Sequence, residues 1–206
     1  MTFIFNHPLI KDKLTRIRKI ETESTKFRDN VKEIAQLMTY EVTKHLSLMN
    51  INIETPITKT TGFKLADKIV LIPILRAGLG MVDGLKELIP SASIGHIGIF
   101  RNEQTALPQE YYCKMPQTLH NGIAIILDPM LATGGSINKA VDVIKTYKPK
   151  EINLICLVAA PEGLKKVEEK HPDANIFVAA LDEHLNENYY IVPGLGDAGD
   201  RLFGTK

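Results

Sequence analysis

The chain has 206 residues, 44% hydrophobic and 24% charged, a composition that suits one domain with a core it can bury unaided. Lys and Arg total 25 against 24 Asp and Glu, and the resulting charge of +1 argues against a general polyanion binder. Trp is absent and aromatics make up 6%, which disfavours a stacking platform for single-stranded nucleic acid.

Residues 7–28 are rich in Lys and Arg and start helical, with Leu9, Ile10, Leu14 and Ile17 in register. Val31, Ile34, Ala35, Met38, Val42, Leu46 and Met49 recur at helical spacing and predict an amphipathic helix over 29–48. Ile51, Ile53, Thr55 and Ile57 alternate with more polar residues, as in a half-exposed strand. From Lys68 the pattern becomes strand, turn, helix, repeated. The apolar runs 69–75, 93–100, 123–127, 152–158 and 175–181 have strand length. Between them, Met81, Val82, Leu85, Leu88 and Ile89 make a helix closed by Pro90, and Ile137, Ala140, Val141 and Ile144 make another. Pro161 opens a third at its favoured first position, with Leu164 and Val167 inside. Unbroken apolar strands alternating with helices predict an α/β fold: a five-stranded, mainly parallel sheet with helices on both faces. An N-terminal helical extension precedes it. Two stretches break the alternation, 101–121 and 182–206, and long connections in such domains are often functional.

In an open parallel sheet, ligands sit beyond the carboxyl ends of the strands. Arg76-Ala77-Gly78 follow the first run, Arg101-Asn102-Glu103 the second, and Asp128 leads the third into Thr133-Gly134-Gly135-Ser136. This is a constellation for a sugar phosphate. A glycine turn leading into a helix offers backbone N–H groups to an anion, and Thr133 and Ser136 add hydroxyl donors. Asp128 repels phosphate and suits sugar hydroxyls. A Gly-Gly pair alone would signify only a turn; the Asp at the strand end favours a ligand. The nucleotide P-loop pattern is absent. Arg76 and Arg101 are planar forks suited to phosphate oxygens, although a surface Arg more often serves solubility. Gly78 and Gly80 either admit a ligand close to the backbone or serve a tight turn. A nicotinamide site there fails on spacing, because Asp83 stands where a third glycine belongs.

The tail carries a literal G-x-G-x-x-G from Gly194 to Gly199, with too little chain after it for a dinucleotide unit. It suits a backbone-lined slot for a flat, polar heterocycle, with Asp197 facing the reacting centre. Tyr189, Tyr190, Ile191, Val192 and Leu195 are apolar enough to order it. The six histidines, His7, His45, His96, His120, His171 and His184, show no metal spacing, and no G-x-S-x-G elbow occurs. Cys113 and Cys156 are too few for a disulfide framework and point to a reducing, cytoplasmic setting. No signal-peptide pattern and no long charge-free apolar run is present, so no membrane association is expected.

Leu127-Asp128-Pro129-Met130-Leu131-Ala132-Thr133-Gly134-Gly135-Ser136 resembles the phosphoribosyl-diphosphate (PRPP) motif of uracil phosphoribosyltransferases. Residues 73–84 and 190–206 resemble two further blocks of that family, as do 7–15 and 159–163. Pro129 stands where most type I phosphoribosyltransferases carry a second acid, a feature of the uracil branch. Residues 102–108 depart from the family's usual wording. The resemblance implies a type I phosphoribosyltransferase fold and the salvage reaction of uracil with PRPP to UMP and diphosphate, with Mg²⁺ bound through PRPP. It implies a cytoplasmic homo-oligomer, dimer or tetramer, and a GTP activator in some members. Nucleic acid is no partner in that reading; related RNA-binding regulators that sense UMP would need a basic face. It assigns PRPP to Arg76, Arg101, Asp128, Pro129, Met130, Leu131, Ala132, Thr133, Gly134, Gly135, Ser136 and Asp197. Uracil falls to Ile191, Gly196, Asp197 and Ala198, and catalysis to Asp197, Arg76 and Asp128. The single domain then divides into an extension (1–59), a PRPP-binding core (60–181) with a lid (101–121), and a uracil-binding hood (182–206).

Overall fold

The computed structural model describes residues 1–101 and 108–205, Arg101 through its backbone alone. In chain order the elements are β1 (Thr2–Ile4), α1 (Pro8–Arg18), α2 (Ser24–Val42), β2 (Leu48–Glu54), β3 (Lys59–Leu65), β4 (Ile69–Leu75), α3 (Leu79–Leu88), β5 (Ser93–Ile94), β6 (His96–Arg101) and β7 (Pro108–Lys114). There follow β8 (Ile123–Leu127), β9 (Met130–Leu131), α4 (Gly135–Lys145), β10 (Glu151–Ala159), α5 (Pro161–Lys170), β11 (Asn175–Leu181), β12 (His184–Leu185), β13 (Ile191–Val192) and α6 (Ala198–Phe203).

The predicted parallel strands form the centre of one sheet, in the order β11-β10-β8-β4-β6. The second predicted run divides at Gly95, where a Cβ would meet Met115 Sδ at 2.5 Å. The sheet extends past the predicted strands. β1 adds in parallel beside β11, β7 closes the far edge antiparallel to β6, and short β5 and β9 pair with β4 and β10. That makes nine strands among the described residues.

Residues of β4, β8, β10 and β11 enter two separate cores. In β8, Ile123, Ile125 and Leu127 face the core under α1, α2, α3 and α6, while Ala124 and Ile126 face the one under α4 and α5. Burial on both faces is why these strands read as unbroken apolar runs. Helix α2 begins before the predicted 29–48 and stops at Val42. Phe27, fully buried, belongs to it, whereas Met49 keeps the helical spacing only by coincidence and lies exposed in β2. β2 and β3 form an exposed hairpin, from Leu48↔Leu65 to Glu54↔Lys59, so Ile57 falls in its turn rather than in a strand. Of the expected lid, residues 108–121 are built into the sheet edge and core, with Leu119 fully buried; 102–107 lie outside the described residues. Among the described residues, no helix is long and apolar enough to cross a membrane.

Candidate active site

In chain order the five central strands are β4, β6, β8, β10 and β11, which gives the spatial order 2-1-3-4-5. The order reverses between β4 and β8, and open α/β sheets bind ligands outside the strand ends at such a point. Those two strands run in register from Ile69↔Ile123 to Pro73↔Leu127, so Asp128 leaves β8 level with Ile74, near the end of β4 from which Arg76 follows. Arg101 ends β6, on the other side of β4. Its side chain lies outside the described residues.

After Asp128 the backbone is laced onto β10. The Pro129 carbonyl accepts from the N–H groups of Leu157 and Val158, both at 3.1 Å, and the Leu131 carbonyl accepts from Ala160 at 2.9 Å. Leu131 is fully buried, so it and Pro129 hold the loop in place rather than offering side chains to a ligand. Gly134 then takes a left-handed φ of 78° and caps α4. The first turn of a helix leaves N–H groups without intrahelical partners, and here they open on a cleft of about 80 Å³ lined by Asp128 and residues 130–137. Helix α5 holds the turn from behind. A Cβ on Gly163 would lie 2.0 Å from the Ala132 carbonyl oxygen, and one on Gly134 2.9 Å from that of Gly163. Two glycine backbones in contact thus fix the height of the cradle above the second core.

Asp128 keeps a partly exposed edge toward this cleft, yet burial pushes its carboxyl up to about 7. The Met130 N–H, donating to Oδ1 at 3.4 Å, opposes the shift only weakly. Cys156, fully buried in β10, has its thiol raised by burial and by the Asp128 charge, as befits a core residue. Asp128 thus faces the cleft with a carboxyl that exchanges its proton near neutral pH, and hydroxyl donors on a ligand would favour its ionised form.

The Arg76 loop spans the space between this cradle and the C-terminal segment. Gly78 packs so closely that a Cβ would lie 2.3 Å from the Leu127 carbonyl oxygen, and one on Gly80 would meet Leu202 Cδ2 at 2.7 Å. These glycines seat the loop on β8 and α6 against α3, which favours the tight-turn reading over ligand approach. The peptide bonds Leu75–Arg76 and Val192–Pro193 are cis. Arg76 is exposed, its Nη2 3.6 Å from Asp200 Oδ1 and its guanidinium carbon 5.8 Å from the centre of the Phe203 ring. Asp197 caps α6, its Oδ1 accepting the Asp200 N–H at 2.9 Å. Gly196 and Asp197 are exposed, whereas Ile191 and Ala198 are buried in the core, so the latter two can present only backbone to a ligand.

Sequence reasoning missed what fastens this hood. Arg201 donates from Nη1 to the carbonyls of Ile17 and Leu195 and from Nη2 to that of Lys19, and lies 4.4 Å over the Phe27 ring. Burial lowers its pKa. Arg28 donates to the Leu202 carbonyl at 2.9 Å, and Arg18 pairs with Asp182. Apart from the Leu195 carbonyl, these partners lie more than 160 residues apart and leave no spacing to read.

An open α/β sheet with a glycine turn and helix N-terminus at its switch point is the fold of the type I phosphoribosyltransferases. A hypoxanthine phosphoribosyltransferase of Staphylococcus aureus shares the fold alone, with a TM-score of 0.50 and 14% identity over 76% of each chain. A solved protein of Aquifex aeolicus is far more similar, at a TM-score of 0.96 and 41% identity over 100% of this chain and 99% of that one. A uracil phosphoribosyltransferase of Malacoplasma penetrans is 78% identical over 206 residues, the full length of both. The family profile for uracil phosphoribosyltransferase matches residues 4–205. The chain belongs to the uracil phosphoribosyltransferase family and is an enzyme of the transferase class.

Proposed function

We propose that the β4/β8 junction holds PRPP and the hood holds uracil, for the reaction of the family: N1 of uracil displaces diphosphate from C1 of the ribose, giving UMP in pyrimidine salvage. One observation carries this. An acidic strand end and a glycine turn with open amides line the same cleft, at the end of β8 on which the Arg76 loop packs through Gly78. In this reading the amides of residues 135–137, with Thr133 and Ser136, take the 5-phosphate, and Asp128 accepts from the ribose hydroxyls. Arg76, with Arg101, neutralises the departing diphosphate, where charge develops as the C1–oxygen bond breaks. Backbone groups of Ile191, Gly196 and Ala198 read the base edge and hold N1 in line. Asp197 uses one carboxylate oxygen to cap α6, which keeps the other at the mouth of the slot for PRPP or the N1 proton.

The donor set fits Mg²⁺ carried by the substrate. Asp128 lines the cleft as a hard oxygen donor, the ligand type Mg²⁺ takes beside substrate phosphates. Mg²⁺ takes phosphate oxygens and keeps waters, and when bound it supplies charge neutralisation to the diphosphate. The division into extension, core, lid and hood follows the same reading. The exposed apolar side chains of the β2–β3 hairpin, Leu48, Ile57 and Phe63, support a homo-oligomer. The free thiols Cys113 and Cys156 are in keeping with a reducing cytoplasm. The test is UMP formation by the full chain from uracil, PRPP and Mg²⁺, with and without GTP, beside a sizing column. Turnover of hypoxanthine or orotate but not uracil overturns the assignment.

A further inference from the structure

Asp182 stands directly after β11 with 4% of its side chain exposed. Its Oδ1 accepts from Arg18 Nη2 at 2.5 Å and its Oδ2 from Arg18 Nη1 at 2.8 Å, a two-bond fork. The same Oδ2 accepts the Gly194 N–H at 2.9 Å, and Arg18 Nη1 donates to the Gly194 carbonyl at 2.6 Å. One ion pair therefore grips Gly194 by both its backbone groups. Asp182 is itself tied to the sheet, its N–H donating to the Ala159 carbonyl at 2.8 Å. Only glycine fits at Gly194, and glycine by itself leaves the backbone free to move. Its φ is +62°, and a Cβ there would lie 2.1 Å from the Ile191 carbonyl oxygen.

We infer that Arg18 and Asp182 are positioning residues for base recognition: their ion pair fixes Gly194, and through it the backbone on either side, Ile191 and residues 196–198. The inference rests on the proposed assignment of uracil to that backbone. Base edges read by main-chain groups tolerate shifts of only a few tenths of an ångström, because hydrogen bonds weaken outside a narrow range of length and angle. Side chains can re-aim when a support is lost; a glycine-rich segment has none to re-aim. The PRPP cradle is held by β10 and α5 instead, through contacts Arg18 does not touch.

The two supports separate the substrates. In Arg18→Ala the uracil KM should rise at least about tenfold, as expected when one partner of a mostly buried ion pair is removed. The PRPP KM should shift far less than the uracil KM, since the cradle has independent supports and, of the groups assigned to PRPP, Asp197 alone lies on the segment Arg18 fixes. Arg18→Lys keeps the charge but not the fork, and should fall between. A merely structural role would lower the melting temperature and the active fraction without dividing the two KM values. Equal shifts in both, or an unchanged uracil KM in the folded variants, overturn the inference. If Arg18→Ala does not fold, Arg18→Lys carries the same test. Gly196→Ala, whose Cβ has space but whose φ of +77° strains any side chain, perturbs the backbone of the slot itself. An unchanged uracil KM there overturns the base assignment; a raised one, with Arg18 variants unaffected, overturns the ion-pair inference alone.

Discussion

Asp128→Asn should make the ligand-free protein more stable and the enzyme poorer. The carboxyl ordinarily has a pKa of 3.8 and is pushed to about 7 by burial. A folded-state pKa above the unfolded one means that the native state holds the proton more tightly. The stability this group contributes is then fully present below the unfolded pKa and lost as pH rises toward 7. A rise of about 3 units corresponds to about 4 kcal/mol, which the partly exposed edge reduces to roughly 2–3 kcal/mol. The asparagine variant, free of that charge, should exceed the parent by roughly 2–3 kcal/mol near pH 8 and by only about 1 kcal/mol near pH 5. For a chain of this length the gain near pH 8 is about 5–10 °C in melting temperature.

Ribose hydroxyls that donate to the ionised carboxylate favour loss of its proton. PRPP should therefore bind the parent more tightly as pH climbs through 7, and the variant should lose that dependence. Thermal melts of both proteins at several pH values, without and with PRPP, read each effect separately. A variant no more stable than the parent near pH 8 refutes a carboxyl whose ionisation burial opposes. An unchanged kcat/KM for PRPP refutes its contact with the sugar.

Arg76→Ala should lower kcat/KM for PRPP by about a hundredfold, the usual cost of one donor lost to developing charge, and lysine should restore only part of it in steady-state assays. Gly163→Ala places a Cβ 2.0 Å from the Ala132 carbonyl oxygen. The overpacking should cost about 1–3 kcal/mol, visible in urea titrations, and raise the PRPP KM although the residue touches no substrate. Phe63→Glu puts a charge on the exposed hairpin and should shift the sizing-column elution toward the monomer with little change in the melting temperature of the monomer.

How far the molecule can be read from its sequence follows from how local each determinant is. Ile69–Leu75 and Ile123–Leu127 announce themselves because both faces of those strands are buried, so nothing polar interrupts them. β7 does not, because an edge strand carrying Gln109, Glu110 and Tyr111 has an exposed, polar sequence. β1 is only three residues long and is defined by pairing with β11 at the far end of the chain. The end of α2 was obscured by Leu46 and Met49, whose spacing extends the helical pattern after the backbone has turned away. At the site, Asp128 and the Gly134 turn are legible through a rule about strand ends that needs no partner. Gly78, Gly80 and Gly163 are legible as glycines but not in purpose, since what each would strike, Leu127, Leu202 or Ala132, comes from another element.

The same distinction explains why an N-terminal extension should accompany this sheet at all. A slot that reads a base with glycine backbone gains selectivity from rigid placement, yet glycines contribute no side-chain packing to hold themselves rigid. The constraint has to come from outside the segment. Here it comes from α1 and α2, through Arg18 on Gly194, Arg28 on the end of α6, and Arg201 reaching back to the carbonyls that follow α1. Guanidinium groups suit this work because their fixed forks bond several backbone oxygens at once and keep their charge through the physiological range. The near-neutral composition conceals the device, since Asp182 answers Arg18 and backbone carbonyls answer the other two. On the proposed site the scarcity of aromatics is no obstacle to base recognition: shape and hydrogen bonding would be supplied by a backbone that three arginines hold still.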